Sequence, residues 1–132
     1  MILGQVVFAQ GTCQPGYAVK RFPDWTSIYI AVPDIPSSVL RGIARYADVH
    51  LYSDRGDVLY AAENLLSVHT ISGGKRTFAL PSEKEIIVDL FENKMIARDT
   101  RKFRVNLPPA STALYYMGKR NLLKSHKQSL EE

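Results

Sequence analysis

The sequence contains a single cysteine, Cys13, among its 132 residues. An internal disulfide is therefore excluded, and so is a cysteine cluster of the kind that holds structural zinc. No stretch approaches the roughly 18 consecutive apolar residues that a bilayer span requires. The opening, MILGQVVFAQG, has no basic residues ahead of its apolar ones, as a secretory signal would. We therefore expect a soluble, cytoplasmic chain whose fold depends on packing.

Basic residues outnumber acidic ones by 17 to 13, which gives a formal net charge of +4. Such an excess can indicate a polyanion partner such as nucleic acid. Here, however, lysines and arginines are interleaved with acidic residues, and the densest basic group lies in a tail, 119–132, that ends in two glutamates. This pattern is typical of a solvated surface. Nucleic acid is therefore the least favoured partner.

Three apolar runs in the first third of the chain predict a β-meander. They are Ile2–Gln10, Tyr17–Phe22 and Trp25–Val32, separated by turn residues. The next segment, Asp34–Ser38, combines proline with small hydroxyl side chains and predicts the start of a helix. Apolar residues then recur at helical spacing over 37–47, which predicts a short amphipathic helix covering one face of the sheet.

Beyond Ala47 the apolar residues recur with a period of two, which predicts strands. We expect strands at Val49–Ser53, Val58–Ala62, Asn64–Thr70, Lys75–Leu80, Glu85–Phe91, Met95–Arg98, Lys102–Leu107 and Thr112–Met117. Hairpin turns are predicted at 54–57 and 92–94, and a tight turn at Gly73-Gly74. Short strands at even spacing favour a mainly β fold, an antiparallel sandwich or barrel, and of the two we expect the antiparallel β-sandwich. The predicted organisation is a meander and helix (1–47), a sandwich (48–118) and a charged tail (119–132) that becomes helical if another surface packs on it.

Residues that could carry catalysis or bind a metal have simpler structural explanations. His50 and His69 lie in predicted strands, and neither these nor His126 have a second ligand at the spacing typical of zinc; we expect no metal and no cofactor. Asp54 and Asp57 could form an acid–base pair, but aspartate is common in turns because it bonds the local backbone. The Gly-Gly-Lys-Arg sequence at 73–76 lacks the glycine spacing of a phosphate-binding loop.

Surface aromatic residues offer the one candidate binding site. Trp25, beside Asp24 at the start of a predicted strand, is the most plausible contact, and Tyr29 and Tyr52 could extend it into a platform that stacks on sugar rings. The alternative is that these side chains fill the core, as large aromatics in strands commonly do.

A family resemblance covers most of the chain. It rests on three segments: VHLYSDRGDVLYAAENLLSVHTISGGKRTFALP, IIVDLFENKMIARD and FRVNLPPASTALYYMG. These resemble the C-terminal β-sandwich region of multidomain glycoside hydrolases related to family 42 β-galactosidases. Residues 16–47 resemble the end of the glutamine-amidotransferase-like domain that precedes the sandwich in those enzymes.

The resemblance implies an accessory role without catalysis. Those enzymes carry both catalytic glutamates on a (β/α)₈ barrel of roughly 250 residues, so no catalytic residue can be transferred to this shorter chain. The implied function is an accessory or assembly domain, related to carbohydrate-active enzymes, that contacts another copy of itself or a neighbouring domain of a larger hydrolase. The alternative is a small carbohydrate-binding module that uses Trp25, Asp24, Tyr29 and Tyr52.

Overall fold

The computed structural model describes residues 1–123, which fall into two compact units, Met1–Ile43 and a second unit that starts at Ala44. The elements in chain order are β1 (Ile2–Val7), β2 (Cys13–Arg21), β3 (Thr26–Ile30), α1 (Ser37–Tyr46), β4 (Val58–Ala62), β5 (Leu65–Thr70), β6 (Gly74–Asp89), β7 (Lys94–Leu107) and β8 (Ser111–Gly118). Both sheets are antiparallel, so the predicted mainly β fold is confirmed. Within the described part of the chain, no helix is long and apolar enough to cross a membrane.

The first unit is the predicted meander, with strands in the order β1-β2-β3. A two-residue turn, Pro23-Asp24, joins β2 to β3, and the Phe22 N–H donates to the Trp25 carbonyl across it at 2.8 Å. The first half of α1 packs on one face of this sheet. A small cavity of about 170 Å³ lies between them, lined by Tyr17, Ile30 and Val39 among others.

The second unit is a five-stranded sheet in the order β4-β5-β8-β6-β7. The strand β8 inserts between β5 and β6 and so pairs with two earlier strands. Here β6 and β7 are each one long strand, where the sequence predicted two. Their pairing shifts register between Ala79 and Lys84, beside Pro81, and irregular pairing of this kind is where a sheet tolerates proline and bends.

This bend turns the single sheet into a sandwich. Along a straight strand, the eleven steps from Phe78 to Asp89 would cover about 36 Å. Asp89 pairs directly with Tyr115, yet the Tyr115 ring lies only 6.3 Å from the Phe78 ring. The first half of β6 and the second half of β7 must therefore fold back over the rest of the sheet. We call this part the folded-back layer.

The core lies between the two layers. Its fully buried members include Leu66 and Val68 of β5, Phe78 of β6 and Tyr115 of β8. The alternation predicted for residues 102–107 is confirmed, because Phe103 and Leu107 are buried whereas the intervening charged and amide side chains are exposed. A smaller cluster on the opposite face of the sheet contains Ile86, Val88 and Tyr116.

The strand predicted at Val49–Ser53 and the hairpin after it are wrong. Residues 49–57 form no strand, and Asp48 before them has a positive φ of 55°. One backbone hydrogen bond ties the segment to β6, from the Ala79 N–H to the Tyr52 carbonyl at 2.8 Å. The two aspartates pair with arginines, Asp54 with Arg45 and Asp57 with Arg76. Side-chain ion pairs thus replace the expected ladder.

The predicted helix is present as α1, but none of its residues is fully buried. At the other end of the chain, residues 120–123 are helical. The rest of the predicted tail, including His126, lies outside the described residues.

Candidate functional site

The most conspicuous surface feature of the first unit is an aromatic face on its sheet. Trp25 and Tyr29 are four residues apart along the extended chain, so both side chains point to the same side. Phe22 lies opposite Trp25 across the β2–β3 turn, and the two rings stack at 4.2 Å with only 7° between their planes. The Lys20 ammonium lies over the Phe22 ring, 4.8 Å from its centre. We define Lys20, Phe22, Trp25 and Tyr29 as the aromatic face.

This face is open to solvent. The register pairs Ala18 with Tyr29 and Lys20 with Ser27, which places small or flexible side chains between the rings. α1 packs on the other side of the sheet, against Tyr17 and Ile30. Trp25 therefore remains 56% exposed and Tyr29 57% exposed. A flat stack of this kind can contact either an apolar protein surface or the C–H face of a sugar ring.

The four residues predicted as a carbohydrate platform are divided between the two units. Trp25 and Tyr29 share the aromatic face, and Asp24 is exposed in the adjoining turn. Tyr52 belongs to the second unit, where it is half-buried, packs against the main core and meets the His50 ring edge-on at 4.8 Å. The first three residues therefore lie in one region of the first unit, and Tyr52 has a packing role in the second.

The second unit contains a buried ion pair between Asp57 and Arg76. The contact is bidentate, with Arg76 Nε 2.6 Å from Asp57 Oδ2 and Nη2 3.1 Å from Oδ1. Both side chains are about 95% removed from solvent. The guanidinium also donates to four further oxygens, those of Thr70, Ser72, Gly73 and Lys75. We call these residues the Arg76 network.

The Arg76 network joins three separate segments. Asp57 ends the irregular segment before β4, Thr70 ends β5, and Gly73 forms the turn into β6. The hydrogen bond from Arg76 holds the pKa of the Asp57 carboxyl below its usual range, and the same contact raises the pKa of Arg76. Both groups stay charged and satisfied, which suits a structural clasp better than proton transfer.

The histidines and the Gly-Gly turn have structural roles in the described residues. His69 Nδ1 lies 2.9 Å from Thr112 Oγ1 on the neighbouring strand, as expected for a hydrogen-bonded sheet histidine, and His50 Nε2 lies 2.9 Å from the Ala79 carbonyl. The tight turn predicted at Gly73-Gly74 is confirmed by φ angles of 62° and 90°. Among residues 1–123 no three His, Cys, Asp or Glu side chains gather as metal ligands would.

Two features of the structure were not predicted from the sequence. The first is that Phe22 belongs to the aromatic face. The Pro23-Asp24 turn could have indicated this, because a two-residue hairpin loop puts the residues on either side of it opposite each other. The Asp57–Arg76 pair had no local signal, because the residues are 19 apart in sequence and meet only in the tertiary fold.

Comparison with known protein families, with curated proteins and with solved structures finds no match to this chain. The relation to glycoside hydrolases therefore stays a prediction. Function has to be inferred from the geometry and chemistry of the two units.

Proposed function

We propose that this chain is a non-catalytic accessory domain that assembles with a second copy of itself through its first unit. The proposal rests on the difference between the two units in how many apolar side chains they bury. In the described chain the thirteen buried hydrophobic residues all lie between Leu66 and Met117. The first unit contributes none, and nine of its large hydrophobic side chains are exposed: Met1, Ile2, Leu3, Val7, Phe8, Trp25, Tyr29, Val32 and Leu40. Apolar surface without a core of its own favours association.

The free edge of β3 is the best candidate contact. Soluble proteins commonly protect an exposed sheet edge with lysine, proline or a bulge. β3, with the sequence TSIYI, has no charged residue and no proline, and its pairing with β2 is regular. The opposite edge, β1, has two register shifts near Gly4, which twist an edge away from a partner strand. We therefore assign the contact to β3.

Two copies of β3 can pair about a two-fold axis. The hydrogen bonds from Phe22 to Trp25 and from Ala31 to Gly16 fix which backbone groups of β3 face β2. By the antiparallel alternation, the N–H and C=O of Ile28 and Ile30 face outward. Antiparallel pairing centred on Ile28 would satisfy these groups and join the two aromatic faces into one surface. Such an interface is self-complementary, as a symmetric dimer requires.

Sedimentation velocity over a range of protein concentrations tests this proposal. We expect the mass of two 14.8 kDa chains, and we expect Ile28→Pro, which removes an outward N–H, to give the monomer. Ile28→Val keeps that N–H and should remain dimeric. Hydrogen exchange gives a measurement without substitution: the Ile28 and Ile30 amides should exchange faster on dilution. A monomer at every concentration, or a dimer that Ile28→Pro leaves intact, contradicts the proposal.

The proposed role is non-catalytic and related to carbohydrate-active enzymes. The resemblance of residues 48–118 to a glycoside hydrolase sandwich supports this relation. We expect the purified chain not to hydrolyse chromogenic glycosides. Turnover that survives stringent purification and disappears on substitution of a single carboxylate would contradict the assignment.

A second candidate function is carbohydrate binding at the aromatic face. The specific observation in its favour is the open Phe22–Trp25 stack, with Tyr29 on the same side. Affinity electrophoresis in gels that contain polysaccharides should then show retention that Trp25→Ala abolishes. Retention that is unchanged in Trp25→Ala removes this candidate.

A further inference from the structure

A cavity of about 610 Å³ opens between the two layers of the second unit. One wall comes from the end of β6, the turn that follows it and the start of β7. The other comes from residues 104–108 at the end of the folded-back layer, and β8 forms the floor. We call it the mouth cavity. Its volume is within the range of small-molecule sites.

Three side chains form a row across the sheet at this cavity. Asp89 pairs with Tyr115 of β8 on one side and with Lys94 of β7 on the other. Directly opposed residues point to the same face of a sheet, with Cβ atoms roughly 5 Å apart. A tyrosine, an aspartate and a lysine therefore leave the sheet side by side on one face, and all three residues line the cavity.

Two residues of the row are nearly buried as a whole, and each has one polar atom without a partner within residues 1–123. Tyr115 is 1% exposed, and its hydroxyl makes no hydrogen bond to a described residue. Asp89 is 8% exposed; its Oδ1 accepts from the N–H groups of Phe91 and Glu92 at 3.0 and 3.1 Å, but its Oδ2 has no such partner. Among residues 1–123 no buried side-chain nitrogen or oxygen is left without a partner, so solvent reaches the Tyr115 hydroxyl and Asp89 Oδ2. Both residues line the cavity, where a polar ligand can take the place of water at these two atoms.

The charged residues that line the cavity are two acids, Asp89 and Glu92, and two bases, Lys94 and Arg104. None of the four forms an ion pair with another described residue. Burial, together with the negative charges of Asp89 and Glu92, raises the pKa of the Tyr115 hydroxyl. That hydroxyl is thus a neutral O–H donor at physiological pH. A ligand without net charge, able both to donate and to accept hydrogen bonds, fits these groups.

We propose that the mouth cavity binds a neutral pyranose sugar. Each sugar hydroxyl can donate to Asp89 Oδ2 and accept from Tyr115 or Lys94, which matches the alternation of the row. Phe91 is exposed beside the row and lines the cavity, so its ring can stack on the C–H face of the sugar. A pyranose is favoured over a small free amino acid because only the sugar has a C–H face that can stack on the Phe91 ring. This site goes beyond the proposed function, because it needs no second copy and no residue of the first unit.

Titrations followed by ¹⁵N–¹H spectra test the site. The probes are methyl glucoside, methyl galactoside and N-acetylglucosamine at up to tens of millimolar, with glycine as the charged comparison. We expect at least one sugar to shift the amides of residues 89–96, 104–108 and 111–115. Tyr115→Phe keeps the buried ring and removes only the hydroxyl, so it should weaken binding about threefold to tenfold. Asp89→Asn keeps an acceptor for the turn and should weaken binding about tenfold.

Tyr116→Phe is the matched control. Tyr116 is the next residue on β8, points to the opposite face and donates to the Lys119 carbonyl, so its substitution should leave the sugar affinity unchanged. Equal binding by wild type and Tyr115→Phe overturns the proposal. So does a response to glycine alone, a response confined to the first unit, or no shift with any of the three sugars.

Discussion

Replacement of Arg76 by methionine is expected to be one of the most destabilising single changes in the described chain. Methionine has a similar length and an apolar stem, so it fills the space but leaves the Asp57 carboxylate buried without its cation. It also removes the donors that satisfy Thr70, Ser72 and the Gly73 carbonyl, at 2.8, 3.1 and 2.5 Å. Removal of one partner of a buried ion pair costs about 3–5 kcal/mol. We therefore expect Tm to fall by on the order of 15 °C.

A double-substitution cycle separates the ion pair from simple packing. Arg76→Met with Asp57→Leu removes both charges and replaces them with apolar groups, so it should recover most of the stability that Arg76→Met loses. Unfolding should be followed by near-ultraviolet circular dichroism of the tyrosines, since the only tryptophan, Trp25, lies in the first unit. If Arg76→Met lowers the free energy of unfolding by less than about 1 kcal/mol, the stabilising role of the buried Asp57–Arg76 pair is refuted, because that is the range of an exposed ion pair.

Two further predictions concern pH and the turn beside the Arg76 network. The pKa of Asp57 is lower in the folded state than in the unfolded one, so its contribution to stability is complete above about pH 4 and is lost as pH falls through the folded pKa. In urea unfolding measured over a range of pH, Asp57→Asn should therefore reduce the loss of stability at acid pH. An equal loss in Asp57→Asn and wild type would contradict the role given to the Asp57–Arg76 pair. Gly73→Ala should cost at least about 2 kcal/mol, because φ is 62° and a Cβ would lie 2.5 Å from the Pro109 nitrogen; Gly42→Ala is the control, since its Cβ meets nothing within 4 Å in α1 and it should stabilise by about 0.5–1 kcal/mol.

Local pattern predicted most strands, because a strand with one buried face must alternate in sequence. This held best at residues 102–107, where apolar and polar residues alternate; the strand at 26–30 was predicted instead from its β-branched and aromatic residues and the proline that follows them. It failed at Val49–Ser53, where the same β-branched and aromatic residues are present but the backbone is irregular. Intrinsic preference for extended backbone is weak, and there the segment is held instead by the hydrogen bond from the Ala79 N–H to the Tyr52 carbonyl.

The candidate sites likewise divide into one that the local sequence could indicate and one that forms only in the tertiary fold. Trp25, Asp24 and Tyr29 could be named from sequence because they adjoin one hairpin, and Phe22 was within reach of the same reasoning. The mouth cavity was not, because Asp89, Lys94 and Tyr115 meet only through the pairing of β6 with both β7 and β8. Nothing near Tyr115 in sequence indicates that its hydroxyl faces a cavity while its ring packs in the core.

By itself, the sequence determined that this protein is mainly β, with a meander and a short helix ahead of a series of antiparallel strands. These features depend on neighbours a few residues apart, so they are encoded in spacing and turn chemistry. Only the tertiary structure decided that two long strands bend and fold back, that the first unit has no core of its own, and that Arg76 clasps Asp57. Each of these features depends on which residues far apart in sequence come into contact. Burial of apolar and charged groups decides those contacts, and burial is set by the whole fold, not by the local sequence.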